Sequence, residues 1–524
     1  MTSFSLNYIP MKSLALLSLG LLTAAVVAPT GCKPKEDHKL VILHTNDTHS
    51  QIDPDRHDNG GVMRRMAVID SIRRAEPNVL LVDAGDVVQG TLYFYLNGGV
   101  AEQEVLNDMG VDLSILGNQE FDNGIDSLAK VLRISNATKL ATNYNLDDTP
   151  LAGMFETYDI KEYDGKRIGF IGINLDPEGI IAKGNYDGLV FEPIIETANK
   201  VAAKLKNEDK VDAVIALSHI GYAPAGLVGD SALALNSRNI DVIIGGHSHD
   251  TIDPRTPQGE RRSHLRNLDG KPVLVVQTGK AGRKLGKIEI DLNKLGKDVY
   301  PEYELIDIDK RYDNYTNTKL DETIKKYRSG VDSLMTVWVG ETERPMPETD
   351  TELLNFFSDF VLARARQITP DVDFAITNKG GLRSDLPGGK FSKGHIINMV
   401  PFNNKVTVVD ISGADLEDIF DVMARRDGDG VSTNVRVTYE KDGDEAEADD
   451  ILIDGRKLDD DKTYRVATID YLANGGDYLH AFTHGTVVAQ SPEVLYDDLI
   501  YYFTDGAGKD KPLKSTPENL WTLE

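Results

Sequence analysis

The sequence predicts an α/β protein of two domains, on three observations. The chain has 524 residues, more than one ordinary core accommodates. From residue 39 onward, short β-branched runs alternate with amphipathic stretches, the pattern of strands covered by helices on both sides. After about residue 310 the alternation gives way to one long amphipathic stretch and then to a smaller set of mixed elements.

Taken in order, residues 1–32 read as a targeting signal and not as part of the fold. Lys12 supplies a basic start, and residues 14–27 form an apolar run broken only by Ser18 and Gly20, too short for a confident membrane span. Translation can equally begin at Met11. Cys32, the only cysteine, follows Gly31 at the end of this run, so no intramolecular disulfide is available. Its position resembles a bacterial lipoprotein cleavage site, with Cys32 as the lipid-bearing N-terminus, although Pro29 stands where an aliphatic residue is usual. The expectation is export to the bacterial cell envelope and anchoring to a membrane by lipid, in the periplasm or at the surface. An ordinary secretory signal with an incidental cysteine is the other reading.

Residues 38–310 form the first expected domain. Strands are expected at 39–44, 79–82, 112–116, 167–173, 213–217, 241–244 and 272–277. Val62, Met66, Ile69 and Ile72 mark a helix with one apolar face between the first two strands. Residues 311–336 form an expected linker helix, because Leu320, Ile324, Tyr327, Val331 and Leu334 recur at helical spacing. In the second domain, 337–524, strands are expected at 373–377, 405–411, 435–439 and 464–468, and helices at 351–366 and 414–424. The acidic stretch 442–450 reads as a solvated hairpin loop.

The formal net charge of −27 excludes polymeric nucleic acid as a partner, since phosphate contacts need a basic surface. A small phosphorylated ligand would have to be captured by local cations.

Five polar clusters each fall where an expected strand ends: Asp47 with His49, Asp86, Asn118, His219, and His247 with His249. Ligands in open α/β folds gather at the carboxyl ends of strands. Carboxylate, imidazole and amide donors without thiolates suit divalent ions such as zinc, manganese, iron or cobalt. Seven ligands are too many for one tetrahedral site; with one carboxylate shared they make two sites of four.

The ordered set Asp-x-His, Gly-Asp, Gly-Asn-x-Glu, a single His and Gly-His-x-His resembles the calcineurin-like metallophosphoesterases. The context Leu43-His44-Thr45-Asn46-Asp47-Thr48-His49 and the second domain narrow the resemblance to the bacterial two-domain 5′-nucleotidase family. That resemblance implies a four-layer α/β/β/α sandwich followed by a smaller mixed α+β substrate domain. It implies one metal ion on Asp47, His49, Asp86 and His249, and a second on Asp86, Asn118, His219 and His247, with Asp86 bridging. Two such ions about 3.5–4 Å apart polarise a phosphoryl group and acidify a bridging water, whose hydroxide attacks phosphorus. The implied activity is a metal-dependent phosphohydrolase acting on nucleoside 5′-monophosphates, with UDP-sugars or cyclic nucleotides as variants.

One departure bears on catalysis. The family has a histidine within Gly-Asn-His-Glu, assisted by an aspartate three residues on; here those positions are Gln119 and Asp122. Glutamine can donate a hydrogen bond but carries no positive charge, and losing one such contact costs roughly 10²–10³ in turnover. The alternative expectation is therefore a metal-containing nucleotide-binding lipoprotein with weakened catalysis.

In the second domain, Asn378-Lys379-Gly380-Gly381-Leu382-Arg383 resembles the family's glycine-rich substrate loop, and Pro401-Phe402-Asn403-Asn404 and Asn474-Gly475-Gly476-Asp477 resemble two more. The resemblance assigns phosphate to Arg383, the base or ribose to Asn378 and Phe402, and substrate binding more generally to Gly380 and Gly381. Tyr478 would supply the second ring of a base sandwich. A further family arginine has no counterpart, because Glu348-Thr349-Asp350 stands there.

Overall fold

Successive residues of the strand Lys39–Thr45 serve two different cores: Leu40 and Ile42 enter one, Val41 and Leu43 the other. A strand apolar on both faces must be covered on both, and this one organises the first domain. In the computed structural model, which describes residues 38–224, 226–442 and 445–524, it lies inside a six-stranded sheet. It runs parallel to Val79–Asp83 and antiparallel to Lys284–Asp291. A second six-stranded sheet is built around Lys166–Asn174, Ala213–His219, Val242–Ile244 and Pro272–Val276, all parallel to their neighbours within that set.

The two sheets share an inner core that includes Leu40, Ile42, Leu80 and Val82 from one and Phe170, Ile215, Ile244 and Val276 from the other. Helices Val62–Ala75 and Val100–Met109 cover the outer face of the first sheet. Helices Ile194–Asn207 and Asp230–Asn236 cover that of the second. The layers are therefore helix, sheet, sheet, helix, as expected.

The long amphipathic stretch forms the helix Thr318–Met335. Leu320 and Ile324 sit in the core under the first sheet, whereas Leu334 and Met335 pack on the core of the second domain. That second core lies around a five-stranded sheet with Phe374–Thr377, Thr463–Ile469 and Val406–Ser412 at its centre. Helices Thr351–Ile368 and Gly413–Ala424 pack on it. Residues Lys39–Glu524 pack as one unit, and Leu92 of the first domain is part of the second core.

The acidic stretch at 442–450 corrects the expectation of a loop. Glu445–Ile453 is a strand that pairs antiparallel with Val435–Asp442, register Tyr439 to Ala448. Ala446, Ala448 and Ile451 are buried between acidic residues, so an alternation hidden by the charges governs the backbone. The expected targeting signal at 1–32, with Cys32, lies outside the described residues. Among the described residues, no helix is long and apolar enough to cross a membrane.

Candidate functional site

Every ligand expected from the sequence stands at the carboxyl end of a strand. Asp47 and His49 follow Lys39–Thr45, Asp86 follows Val79–Asp83, and Asn118 follows Leu113–Ser114. His219 ends Ala213–His219, and His247 and His249 follow Val242–Ile244. Five of the seven, Asp47, His49, Asp86, His247 and His249, have φ between 48° and 73°. Such left-handed backbone is unfavourable for non-glycine residues and persists only where the surroundings hold it.

The side chains converge in two groups. Donor atoms of Asp47, His49 and His249 lie within 4.8 Å of one another, and so do those of Asp86, His219 and His247. The Nε2 atoms of His49 and His249 are 2.9 Å apart, and Asp47 Oδ1 is 3.9 Å and 3.4 Å from them. His219 Nε2 is 3.3 Å from Asp86 Oδ2, and Asn118 Oδ1 is 2.9 Å from His247 Nδ1. The backbone N–H of His247 donates to Asp47 and ties the two groups together.

These residues fit divalent ions. His219 Nδ1 lies 2.7 Å from the Ala84 carbonyl, which can only accept, so Nδ1 carries a proton and Nε2 is the nitrogen left to face inward. That Nε2 is fully buried without a hydrogen-bond partner, a placement that coordination would satisfy. Burial, reinforced by the Arg383 charge, lowers His49 to about 3. Burial, then the His219 charge, lowers His247 to about 4. Both rings are neutral at neutral pH, the form that binds metal. Burial opposes charge on His219 too, but the Asp86 carboxylate beside it prevails and raises it to about 10.

Gln119 and Asp122 are close in sequence but not paired through their side chains. The backbone N–H of Gln119 donates to Asp86 Oδ1 at 2.9 Å, while its side chain lines the cleft with a buried, unpartnered Oε1. Asp122, raised to about 8 by burial, accepts instead from Gln89 Nε2 at 2.9 Å. Gln89 has φ 67° and lines the same cleft. Sequence reasoning missed it, since one glutamine between Val88 and Gly90 carries no distinguishing pattern.

The cleft has a volume of about 700 Å³ and is walled by both domains. Asn378, Gly380, Gly381, Arg383 and Phe402 line it opposite Asp86, Asn118, His247 and His249. Arg383 Nη2 reaches to 3.4 Å from His49 Nε2, and its guanidinium lies 5.8 Å from the centre of the Phe402 ring. Tyr478 is not among the lining residues; it packs beside Gly179 and edge-on to His480, ring centres 6.1 Å apart. From its loop, Asp477 and His480 line the cleft, together with the nearby Tyr471. Where the second family arginine would stand, Glu348 pairs with Lys280 of the first domain at 3.3 Å.

Residues 40–251 match the calcineurin-like phosphoesterase family, and residues 333–484 match the C-terminal domain of 5′-nucleotidases. The chain joins, in this order, a calcineurin-like phosphoesterase domain and a 5′-nucleotidase C-terminal domain. This pairing makes it a metal-dependent phosphoric ester hydrolase with divalent metals as cofactors. Among relatives, a 5′-nucleotidase of Vibrio vulnificus is 26% identical over 89% of this chain and 92% of its own length. The trifunctional nucleotide phosphoesterase protein YfkN of Bacillus subtilis is 26% identical over 85% of this chain. The match spans only 32% of that longer protein. The crystal structure of a 5′-nucleotidase precursor from Thermus thermophilus superposes with TM-score 0.82 at 25% identity, covering 93% of this chain and 99% of that one.

Proposed function

We propose that this two-domain enzyme hydrolyses nucleoside 5′-monophosphates, releasing nucleoside and orthophosphate. The observation that carries the reading is the approach of Arg383 to 3.4 Å from His49. It sets a guanidinium suited to a phosphate fork against the metal-ligand groups, within one cleft that also holds Phe402.

Asp47, His49, Asp86 and His249 would hold one ion, and Asp86, Asn118, His219 and His247 the other. Ions bound there supply Lewis-acid stabilisation of phosphoryl charge and acidify water. The protein's own part is orientation. The Gln119 N–H and the Glu120 carboxylate fix Asp86 from two sides. Arg383 draws a phosphate dianion towards the His49 group, Phe402 offers a ring face to a base, and the Gln119 amide donates to a phosphoryl oxygen.

A second reading, a nucleotide-binding protein with weak turnover, is favoured by Gln119 itself and by the engagement of Asp122 with Gln89. Phosphate release from AMP, UDP-glucose and p-nitrophenyl phosphate by residues 33–524, with manganese, zinc or cobalt, separates the two. On the first reading AMP is the best substrate and Gln119→His changes kcat less than about threefold. A silent parent with an active Gln119→His variant would establish the second.

Two further proposals come from sequence. Export with lipidation at Cys32 predicts that radiolabelled palmitate enters the full-length chain but not Cys32→Ala. The domain boundaries at 310 and 337 are supported by the helix Thr318–Met335, which packs on both cores.

A further inference from the structure

One lysine of the first domain is tied to the turn that carries Gln119. Residues 175–189 connect the strand Lys166–Asn174 to the short strand Val190–Phe191, and Lys183 lies near their middle. Two contacts fix this stretch against the segment 119–122. Ile181, just before Lys183, is buried in one cluster with Phe121, the last residue of the turn Gln119–Phe121. Asn185, just after it, donates from Nδ2 to the Asp122 carbonyl at 3.2 Å. Between these anchors the N–H of Asn185 returns to the Ala182 carbonyl at 3.0 Å, closing a four-residue turn with Lys183 in second place. Gly184, in third place, has φ 94°, a left-handed backbone that such a turn asks of glycine. Lys183 therefore stands at the tip of a turn held on both sides, and it lines the cleft together with Asn118 and Gln119.

Its ammonium is uncommitted. Among the described residues no hydrogen bond or ion pair engages Lys183, in a chain with 84 acidic residues against 57 basic ones. Asp86, Asp122, Glu178, Asp470 and Asp477 line the same cleft, and none of them holds it. A lysine kept apart from the carboxylates around it is free to pair with an incoming anion. The first-domain wall has a use for such a charge. Among the described lining residues Arg383 is the only cation of the second domain, and Gln119 brings an amide but no charge to its own turn. An ammonium on a flexible stem is a point charge that can follow a phosphoryl oxygen without the fixed fork of a guanidinium.

We propose that Lys183 binds the substrate phosphate from the first-domain wall, as Arg383 does from the second. The inference rests on the phosphohydrolase reading of the cleft and deepens it, by naming a further residue that recognises phosphate whichever nucleoside is attached. The metal-ligand groups do not reveal it, because Lys183 reaches the site through Ile181 and Asn185 and touches no ligand.

The test is Lys183→Gln in the manganese-loaded protein, which removes the charge and keeps a polar side chain. Calorimetric titration with orthophosphate should show Kd raised about tenfold, the lower end for a charge-assisted hydrogen bond because the lysine is solvent-exposed. Bound manganese, by elemental analysis, should equal the parent's. For AMP, KM should rise about tenfold with kcat within about threefold, the pattern of an interaction made equally in ground and transition states. Lys183→Arg should stay within about threefold of the parent in both Kd and KM. An orthophosphate Kd within about twofold of the parent's would overturn the role, because the ammonium would then not reach phosphate. Loss of manganese in Lys183→Gln would also overturn it, because the turn would then act by holding the metal-ligand groups. Failure of the nucleotide reading shows separately, in the parent alone, as turnover of p-nitrophenyl phosphate without turnover of AMP, and the orthophosphate titration decides Lys183 in either case.

Discussion

A methyl group on Gly117 is the smallest change that reaches the metal-ligand groups without altering a ligand. The Cβ of an alanine there would overlap Asp86 Oδ1 and lie 2.5 Å from the Asp86 nitrogen and 2.8 Å from its Cγ. Ordinary contact begins near 3.4 Å, so one of the two segments has to retreat by about 1 Å. Neither is free to do so. Asp86 Oδ1 accepts from the Gln119 N–H at 2.9 Å, and the Asp86 N–H donates to Glu120 at 3.0 Å. The same Glu120 oxygen accepts from the N–H of Gly117, so moving the turn drags its own anchor. Gly117 does not have a left-handed φ, which leaves steric displacement as the whole effect. A misplacement of about 1 Å at reacting groups costs roughly 10²-fold, and local overpacking about 1–3 kcal/mol of stability. Gly117→Ala should therefore lower kcat/KM for AMP about a hundredfold and reduce bound metal below the parent's content by elemental analysis. It should also melt a few degrees earlier. Parent-like metal content with kcat/KM within about fivefold would refute the argument, because Asp86 would then not be held by this turn.

Other perturbations probe separate parts of the molecule. Arg383→Ala should raise KM for AMP about 10- to 100-fold in steady-state assays, since a charge-assisted fork to phosphate is lost. His219→Ala removes the buried inward nitrogen and should bring metal content from two ions per chain to one, read by elemental analysis after dialysis. Glu102, hydrogen-bonded to Ser50, is raised from 4.5 to about 7 by burial. A carboxyl that binds its proton more tightly when folded stabilises the protein at low pH, and that contribution is lost as pH rises from about 4.5 to about 7. Denaturant titrations should then show Glu102→Gln more stable than the parent by up to about 3 kcal/mol at pH 8, with the gain vanishing by pH 4.

The two groups of candidate metal ligands were legible because strand ends are. Most ligands follow apolar, β-branched runs, and the expected strand at 39–44 differs from Lys39–Thr45 by a single residue, whereas the one expected at 112–116 before Asn118 shrinks to Leu113–Ser114. What joined those ends was not legible. The inward placement of His219 Nε2 depends on the Ala84 carbonyl, and Asp122 turned out to serve Gln89; neither partnership has a spacing that sequence reveals. Tyr478 illustrates the limit in the second domain. Resemblance places an aromatic at this loop, but the backbone at Asp477 and Tyr478 is left-handed at both residues, φ 53° and 60°. The ring is carried to Gly179, while Asp477 lines the cleft. Side-chain direction after such a turn is a property of dihedral angles, which residue identity only weakly constrains. The strand at Glu445–Ile453 was missed for a different reason. The inward residues within its acidic part are the small Ala446 and Ala448, and the acidic neighbours dominate any measure of polarity.

The charge of the chain gives these local arrangements their consequence. At −27 the protein repels a phosphate dianion at long range, so capture has to be decided inside the cleft. Among the described residues, only Arg383 and Lys183 line it as fixed cations. His49 and His247 remain neutral there, and therefore do not repel an incoming ion. Four of the five left-handed ligands belong to the turns after the Lys39–Thr45 and Val242–Ile244 strands, so the strain is concentrated where the two sheets meet. Strain of this kind costs of order 1–3 kcal/mol per residue and has to be offset by the packed core on either side. The inner core containing Ile42, Val82, Leu217 and Ile244 thus does more than hold the sheets together. It keeps imidazoles and carboxylates from two sheets at distances that repulsion and backbone preference would otherwise widen.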